Sequence, residues 1–165
     1  MKAPKLLERI YLHIITAIRR YFKIGAFAII FDEQQQVLLC HRSDVDLWNL
    51  PGGKVEKNEL PRKAVIREVK EEAKVKVQVR RLAGIYINFT RTAISFVYVC
   101  EIIKGKPGAN DETDAIAYFA YEQFPRYTYP HHRQWIRDIQ NIPIGFLFKF
   151  QSGPSAKRLL KQGKL

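Results

Sequence analysis

Residues 50–75, LPGGKVEKNELPRKAVIREVKEEAKV, place three glutamates on one short predicted helix of a strongly basic chain. At about 100° per residue, Glu71 and Glu72 fall within roughly 60° of Glu68, and the apolar residues of the segment occupy a separate sector. Like charges three or four residues apart each cost about 0.2–0.5 kcal/mol. The lysines of the segment are not interleaved to relieve this cost. The pattern therefore predicts a cation between the three carboxylates.

The residue types around this cluster indicate which cation it would be. Carboxylates without a His or Cys partner are typical of a hard divalent ion, Mg²⁺ or Mn²⁺, which also takes phosphate oxygens of a substrate. Gly52 and Gly53 allow the backbone a close approach, so that a carbonyl oxygen there would complete the metal shell. Lys54 would meet a phosphate as a point charge. A solvated face of ion pairs is the alternative for the acidic sector, and the like-charge spacing disfavours it.

The run from Gly53 to Val75 resembles the signature of the Nudix hydrolases, Gly-x5-Glu-x7-Arg-Glu-U-x-Glu-Glu-x-Gly-U, where U is an aliphatic residue. Eight of its nine defined positions match: Gly53, Glu59, Arg67, Glu68, Val69, Glu71, Glu72 and Val75. Lys74 stands where the signature has its last glycine, and Asn58 where relatives often have another. A left-handed helix end at Lys74 would cost about 1–2 kcal/mol. The similarity covers residues 22–140.

The resemblance implies a Mg²⁺-dependent pyrophosphohydrolase, an enzyme acting on phosphoric anhydrides. Its substrate would be a nucleoside diphosphate linked to another moiety, such as a nucleoside triphosphate or another nucleotide derivative. Carried over by position, Glu68, Glu71 and Glu72 would hold the metal together with the carbonyl of Gly52. Glu68 would also act as the base on the attacking water.

Further site residues come from the same resemblance and from their place in the chain. Arg67 and Glu59 would pair and orient the metal-binding carboxylates. Glu112, in the loop NDETD, is favoured as a fourth carboxylate, with a solvated acidic turn as the alternative. Arg42 would face a phosphate or base together with Lys54, although Arg42 also fits a surface charge.

The coarse order of elements is helix, strands, helix, strands, helix, which is typical of an α+β domain. The resemblance implies a Nudix-type α/β/α sandwich with a mixed β-sheet. Residues 23–42 predict a β-hairpin around DEQQQ, residues 115–124 another strand, and residues 130–141 a helix. The first turn of this helix would carry two histidines, for which the surface is the favoured location and the lining of the pocket by one of them is the alternative. The predicted domain spans residues 23–141, between an N-terminal helix (1–22) and a basic tail (142–165).

The basic charge lies at the two ends of the chain. The net charge is +5 over residues 1–23 and +5 over 142–165, out of +12 in all. Residues 5–22 predict an amphipathic helix with an apolar stripe that includes Leu7, Ile10 and Ile14. This helix either docks on the domain or lies in a membrane interface. Anionic partners, RNA or membrane surface, are therefore open alternatives for the ends.

The substrate and the setting are less constrained by the sequence. There are two alternatives to a small-nucleotide enzyme. One is an RNA 5′-end pyrophosphohydrolase, and the other is a non-catalytic module that senses a nucleotide or docks at a membrane.

Cys40 and Cys100 lie in apolar runs and predict buried thiols in a reducing cytoplasmic protein, with a peripheral membrane location as the alternative. Trp48, Tyr86 and Phe89 are candidates for stacking on a base, although strand aromatics usually lie in the core. The oligomeric state stays open, with a dimer as one alternative.

Overall fold

The computed structural model describes residues 3–142 and 144–163. The described helices are α1 (Ala3–Ile18), α2 (Pro61–Ala73), α3 (Pro130–Asn141) and α4 (Ala156–Lys161). The described strands are β1 (Lys23–Ile30), β2 (Val37–Arg42), β3 (Trp48–Asn49), β4 (Gly52–Lys54), β5 (Lys76–Asn88), β6 (Ala93–Lys104), β7 (Thr113–Phe119) and β8 (Leu147–Gln151). Short 3₁₀ turns follow β5 at Phe89–Arg91 and β7 at Tyr121–Gln123.

The strands form two sheets that place helices on opposite sides of the core. A five-stranded mixed sheet has the order β4-β1-β6-β5-β8, and a three-stranded antiparallel sheet has the order β3-β2-β7. In the larger sheet β1–β6 and β5–β8 are parallel, and the other pairs are antiparallel. One apolar cluster packs against α2 and the other against α3. This arrangement confirms the predicted α+β sandwich with a mixed sheet.

The predicted hairpin over residues 23–42 is wrong in its pairing. Both strands form, but β1 pairs with β4 and β6 in one sheet, and β2 pairs with β3 and β7 in the other. Only the bridge between Phe31 and Val37 joins the two strands next to the turn. The distant partners bury both strands almost completely, and burial of apolar surface on both faces outweighs the local turn signal.

Helix α2 begins and ends where its sequence predicts, with the strain expected at its end. Pro61 occupies the first turn, where its missing N–H group costs little. Ala64, Val65 and Val69 are fully buried against the sheet. Lys74 follows the helix at φ 58° and ψ 22°, which is the left-handed conformation that favours glycine. Asn58 adopts φ 60° in the preceding loop, and asparagine tolerates this conformation better than lysine does.

Helix α3 matches the predicted bounds, but its histidines are not on the surface. His131 and His132 are both buried in its first turn, which corrects the expected surface location. Tyr129 is the N-cap of the helix and Pro130 its first residue, and the first turn that follows is buried in the domain. Trp135 follows at helical spacing, and its ring centroid lies 4.6 Å from that of His132. The helix therefore carries a buried aromatic ridge towards the larger sheet.

Residues 142–165, set apart by sequence as a tail, contribute to the sheet where the structure describes them. Strand β8 pairs in parallel with β5 from Gly84–Leu147 to Asn88–Gln151. Its residues alternate between half-buried and exposed. The sequence did not predict this strand, because the stretch is short and its partner strand lies about 60 residues away in the chain. Ser155 then caps α4, accepting a hydrogen bond from the N–H group of Arg158.

Candidate active site

Arg67 holds the carboxylates of α2 together. Its Nη1 donates to Glu68 Oε1 at 2.8 Å and to Glu71 Oε2 at 2.9 Å. Its Nε and Nη2 donate to the two oxygens of Glu59 at 2.8 and 2.9 Å. Nη2 also donates to the carbonyl of Lys54 at 3.0 Å. One guanidinium thus joins the loop to the helix, and only a planar fork of donors makes this set of bonds.

The glycines after Pro51 bring the backbone against two of the glutamates. Gly52, at φ 141°, donates its N–H group to Glu72 Oε2 at 2.8 Å. A Cβ atom on Gly53 would lie 2.6 Å from Glu68 Oε2, and one on Gly52 would lie 2.4 Å from the carbonyl oxygen of Ala26. Neither position has room for a side chain. Gly53 therefore allows the close approach of strand β4 to helix α2, and Gly52 allows its close approach to strand β1.

Burial makes these carboxylates costly to ionise. Desolvation, together with the negative charges of Glu68 and Glu112, raises the pKa of Glu72 to about 7 against the opposing effects of the Gly52 N–H group and Arg42. Desolvation likewise raises the pKa of Glu68. The hydrogen bonds from Arg67 instead hold the pKa of Glu59 below its usual value. A carboxyl group that is hard to ionise because of burial and like charge is stabilised as the anion by a nearby cation.

The loop after β6 brings the predicted fourth carboxylate to the same cluster. Asn110 donates from Nδ2 to the carbonyls of Glu71 and Glu72 at 2.7 and 2.8 Å, which ties the loop to the end of α2. Its Oδ1 accepts from the N–H group of Glu112 at 2.8 Å. The charge of Glu112 contributes to the raised pKa of both Glu68 and Glu72, so its carboxylate lies within electrostatic range of both.

The glutamate oxygens of α2 are ligands that suit a hard divalent cation. In the structure these side chains bind Arg67 and the N–H group of Gly52. Within residues 3–142 and 144–163, no three Asp, Glu, His or Cys side chains converge on one point as they stand. Arg67 lies between Glu68 and Glu71, and Glu72 turns towards the N–H group of Gly52. Carboxylate oxygens are the ligands that such a cation takes, and a bound cation would offset the burial and like charge that raise the pKa values of Glu68 and Glu72.

A cavity of about 590 Å³ opens beside the carboxylate cluster. Gly52, Gly53 and Lys54 line it on the side of the cluster, and Arg42 lies on the same wall. Arg42 also donates from Nε to Asp44 Oδ1 at 2.7 Å, and its charge lowers the pKa of Glu72. Both predicted phosphate-binding cations therefore border the cavity close to the carboxylates.

Three aromatic rings form the apolar wall of this cavity. Phe27, His132 and Trp135 all line it, with ring centroids 4.6 to 5.3 Å apart. Lys23, Arg91, Asn88, Tyr129, Gln151 and Ser155 add polar groups. A pocket with apolar walls and a few polar groups is typical of a small-molecule site.

Two buried polar atoms on this wall have no partner in the described part of the chain. Asn49 donates from Nδ2 to the carbonyl of Leu50 at 2.8 Å, while its Oδ1 is unpaired. His132 Nδ1 accepts from the N–H group of Leu50 at 3.0 Å, so its Nε2 carries the proton of the neutral ring and is also unpaired. Burial holds the pKa of His132 well below its usual value. The pair offers one acceptor and one donor to a ligand.

Sequence reasoning missed most of the cavity wall. The aromatic candidates named from sequence do not line it: Trp48 packs on His41 and Phe119, Tyr86 stacks on Trp135 in the core, and Phe89 is exposed. Asn49 lies three residues before Gly52, and this position is the one signal that could have identified it. The cysteines are free and buried, as predicted.

The NUDIX domain family model matches residues 21–139. A Bacillus subtilis (strain 168) protein provisionally named an 8-oxo-dGTP diphosphatase is 31% identical over 118 residues, which cover 71% of this chain and 79% of that protein. The ADP-ribose pyrophosphatase of Methanocaldococcus jannaschii is 29% identical over 132 residues, 76% and 73% of the two chains. The crystal structure of an ADP-ribose pyrophosphatase from Streptococcus suis 89-1591 matches with a TM-score of 0.65 at 26% identity, covering 77% of this chain and 98% of that one. This chain therefore belongs to the NUDIX family.

Proposed function

We propose that this chain hydrolyses a phosphoric anhydride bond of a nucleotide, with Mg²⁺ or Mn²⁺ as cofactor. The chain is a NUDIX pyrophosphohydrolase of nucleotide-like substrates, the kind of activity for which its relatives are named. One observation carries the choice of substrate: a carboxylate cluster borders a cavity whose walls suit a nucleoside. The buried free cysteines agree with a reducing cytoplasmic compartment.

The glutamates of α2 would hold the cation, together with the carbonyl of Gly52 and the carboxylate of Glu112. The bound ion would lower the pKa of its water and neutralise phosphate charge. Glu68 has a raised pKa, which suits a base that accepts the proton of the attacking water. That water forms a new P–O bond as the bridging P–O bond breaks, and the leaving phosphate takes up the electron pair.

Arg67 and Glu59 position the reacting groups without touching the substrate. Arg67 fixes Glu68 and Glu71 through one nitrogen and Glu59 through two. Because these bonds set the rotamer of Glu68, the base would be held before the substrate binds. Lys54 and Arg42 lie on the cavity wall and would face the phosphates. Lys54 would act as a point charge, and the guanidinium of Arg42 would donate two hydrogen bonds.

The nucleoside would occupy the aromatic part of the cavity. A base stacking against Phe27, His132 or Trp135 would bury apolar surface, and base–aromatic stacking contributes about 1–3 kcal/mol. Asn49 Oδ1 would accept from a ring or amino N–H group, and His132 Nε2 would donate to a carbonyl oxygen or ring nitrogen. An unpaired buried polar atom disfavours ligands that lack the matching group.

The test is phosphate release from a panel of nucleoside triphosphates, nucleotide sugars, ADP-ribose and dinucleotides with Mg²⁺ or Mn²⁺. Methyl triphosphate, which carries no base, belongs in the same panel. We expect one nucleotide class to be turned over with at least a tenfold advantage in kcat/KM over methyl triphosphate, since one good stacking contact accounts for such a ratio. No divalent-dependent release from any nucleotide would contradict the proposal.

The base site is tested separately with Asn49→Leu, which keeps the branched shape of the side chain, adds volume, and removes the amide acceptor together with the amide donor to Leu50. Loss of one buried hydrogen bond costs about 1–3 kcal/mol, so KM for the nucleotide should rise about tenfold, while turnover of methyl triphosphate stays unchanged. Gln140→Leu, on the exposed side of α3, is the matched control and should change neither. An equal loss on both substrates would show that Asn49 supports the catalytic cluster and not the base.

A further inference from the structure

The structure leaves apolar side chains of α1, of the 3₁₀ turn after β5 and of β8 uncovered, and the phenylalanines among them are in contact. We define this set, the apolar face, by six residues that are each 49% to 66% exposed: Leu7, Ile10, Ile14, Phe89, Phe148 and Phe150. Single exposed apolar residues are common on proteins, but a contiguous patch with charged surroundings is typical of an interaction site.

Strand β8 presents its two phenylalanines on the α2 side of the sheet. Phe148 lies opposite Ile85 in the β5–β8 register, and Phe150 lies opposite Ile87. Ile85 packs on the apolar cluster that includes the buried face of α2, so the neighbouring Phe148 and Phe150 point to the same side. Neither phenylalanine belongs to that cluster, since α2 lies over other strands.

Helix α1 borders this open part of the sheet but does not cover it. Ile15 is buried in the same cluster, and Glu8 forms an ion pair with Lys63 of α2 at 3.2 Å. Leu7 and Ile14 lie about 100° around the helix from Glu8 and Ile15 and are exposed. The stripe predicted from sequence to dock on the domain is therefore mostly exposed, and only Ile15, beside it, is buried.

A chain of ring contacts joins the end of α1 to β8. The Phe22 ring lies 6.2 Å from that of Phe89, Phe89 stacks on Phe150 at 5.5 Å, and Phe150 contacts Phe148 at 5.5 Å between centroids. The N-terminal and C-terminal ends, which sequence treats as separate appendages, thus meet at one surface.

Basic residues lie near the Phe89 end of the apolar face. Arg20 follows α1 and is exposed. Arg91 lies in the same 3₁₀ turn as Phe89, and Arg158 of α4 lines the same small hollow as Arg91. Each end of the chain contributes a net charge of +5. An apolar surface with a basic border on one side matches the interface of a membrane rich in anionic lipid.

We propose that the apolar face docks on the surface of an anionic phospholipid membrane, with its leucine, isoleucine and phenylalanine side chains in the interface and the basic border against the headgroups. No described helix is long and apolar enough to cross a bilayer. A second copy of the chain is a poorer occupant, because it would bring a further +12 of net charge against the same basic border. This docking is independent of the proposed hydrolysis, since none of the six residues lines the cavity.

The experiment is flotation of the full chain with vesicles of phosphatidylcholine alone or with 30% phosphatidylserine. The variants are Phe148→Ser/Phe150→Ser for the apolar face and Arg20→Glu/Arg158→Glu for its border. We expect the chain to float with the anionic vesicles and much less with the neutral ones, and each variant to reduce partitioning by about tenfold or more. Ile103→Ser and Lys104→Glu/Lys106→Glu are matched exposed changes elsewhere and should partition as the unaltered chain does.

A second readout separates insertion from loss of folding. A Phe148→Trp variant should shift its fluorescence to the blue on mixing with anionic vesicles and keep its spectrum with neutral ones. Absence of binding to anionic vesicles, or binding that persists in Phe148→Ser/Phe150→Ser, would overturn the proposal. So would a dimer in light scattering that this double variant dissociates, since the face would then belong to a second copy.

Discussion

Lys74 adopts the left-handed backbone conformation, which is unfavourable for a residue with a side chain. At φ 58° a lysine carries the strain that a glycine avoids, so Lys74→Gly should raise the free energy of unfolding by roughly 1 kcal/mol. Urea denaturation measures this directly. Lys70→Gly, one turn earlier within α2, is the control and should lower the stability by about 1 kcal/mol, because glycine is unfavourable inside a helix. A less stable Lys74→Gly protein would show that its side chain contributes more than its backbone costs.

His132 makes the stability of the fold depend on pH. Its pKa is lowered by complete burial, whereas in the unfolded chain it titrates near 6.5. The neutral ring therefore contributes stability that is fully present above pH 6.5. This stability is lost as the pH falls below that value, by at most about 1.4 kcal/mol per pH unit.

The measurement is urea unfolding at pH 7.5 and 5.5 for the unaltered chain and for His132→Gln. The variant should be less stable overall, and its stability should change less between the two pH values. His13→Gln, on the exposed side of α1, should keep the pH dependence of the unaltered chain. An unchanged pH dependence in His132→Gln would mean that His132 does not stay neutral in the fold.

At the level of elements, local signals in the sequence predicted helices better than strand partners. Helix α3 has the predicted bounds, and α2 follows its Pro61 and its apolar spacing. The pairing of β1 and the existence of β8 depend on strands far away in the chain, which periodicity does not report. The carboxylates were found because they lie on one helix. The cavity wall was not, because Asn49, His132 and Ser155 come from three separate segments.

The C-terminal segment closes the cavity as well as the sheet. Ser155 lines the cavity, and the carbonyl of Gly153 accepts from Asn88 Nδ2 at 3.5 Å. Ending the chain at Gln151 should therefore raise KM for the nucleotide by about fivefold, roughly 1 kcal/mol, in contrast to the independent tail expected from sequence. Ending it at Lys161 keeps α4 and should leave KM unchanged. Equal KM values for both truncations would show that the wall does not need this segment.

At the scale of the whole molecule, the chemistry and the charge lie in different places. The carboxylate cluster belongs to the NUDIX domain at residues 21–139, and the cavity beside it is lined mostly by the same domain, with Gln151 and Ser155 added from the C-terminal segment. Most of the net charge belongs to the ends, which meet at the apolar face. Hydrolysis in solution and attachment to a surface should therefore be separable by mutation. The N-terminal helix is the harder part to remove, since Ile15 is buried in the core.

The central claim is that the glutamates of α2 bind a divalent cation that hydrolysis requires. The most direct measurement is Mn²⁺ binding by electron paramagnetic resonance together with turnover of the best nucleotide, on the same samples of four proteins: the unaltered chain, Glu68→Gln, Glu72→Gln and Glu56→Gln. Glu56 is exposed in the loop before α2, and its variant should keep both binding and turnover. Glu68→Gln and Glu72→Gln should stay folded, bind Mn²⁺ at least tenfold more weakly, and lose a hundredfold or more in kcat. Near-normal turnover in either variant at saturating Mg²⁺ would contradict the claim.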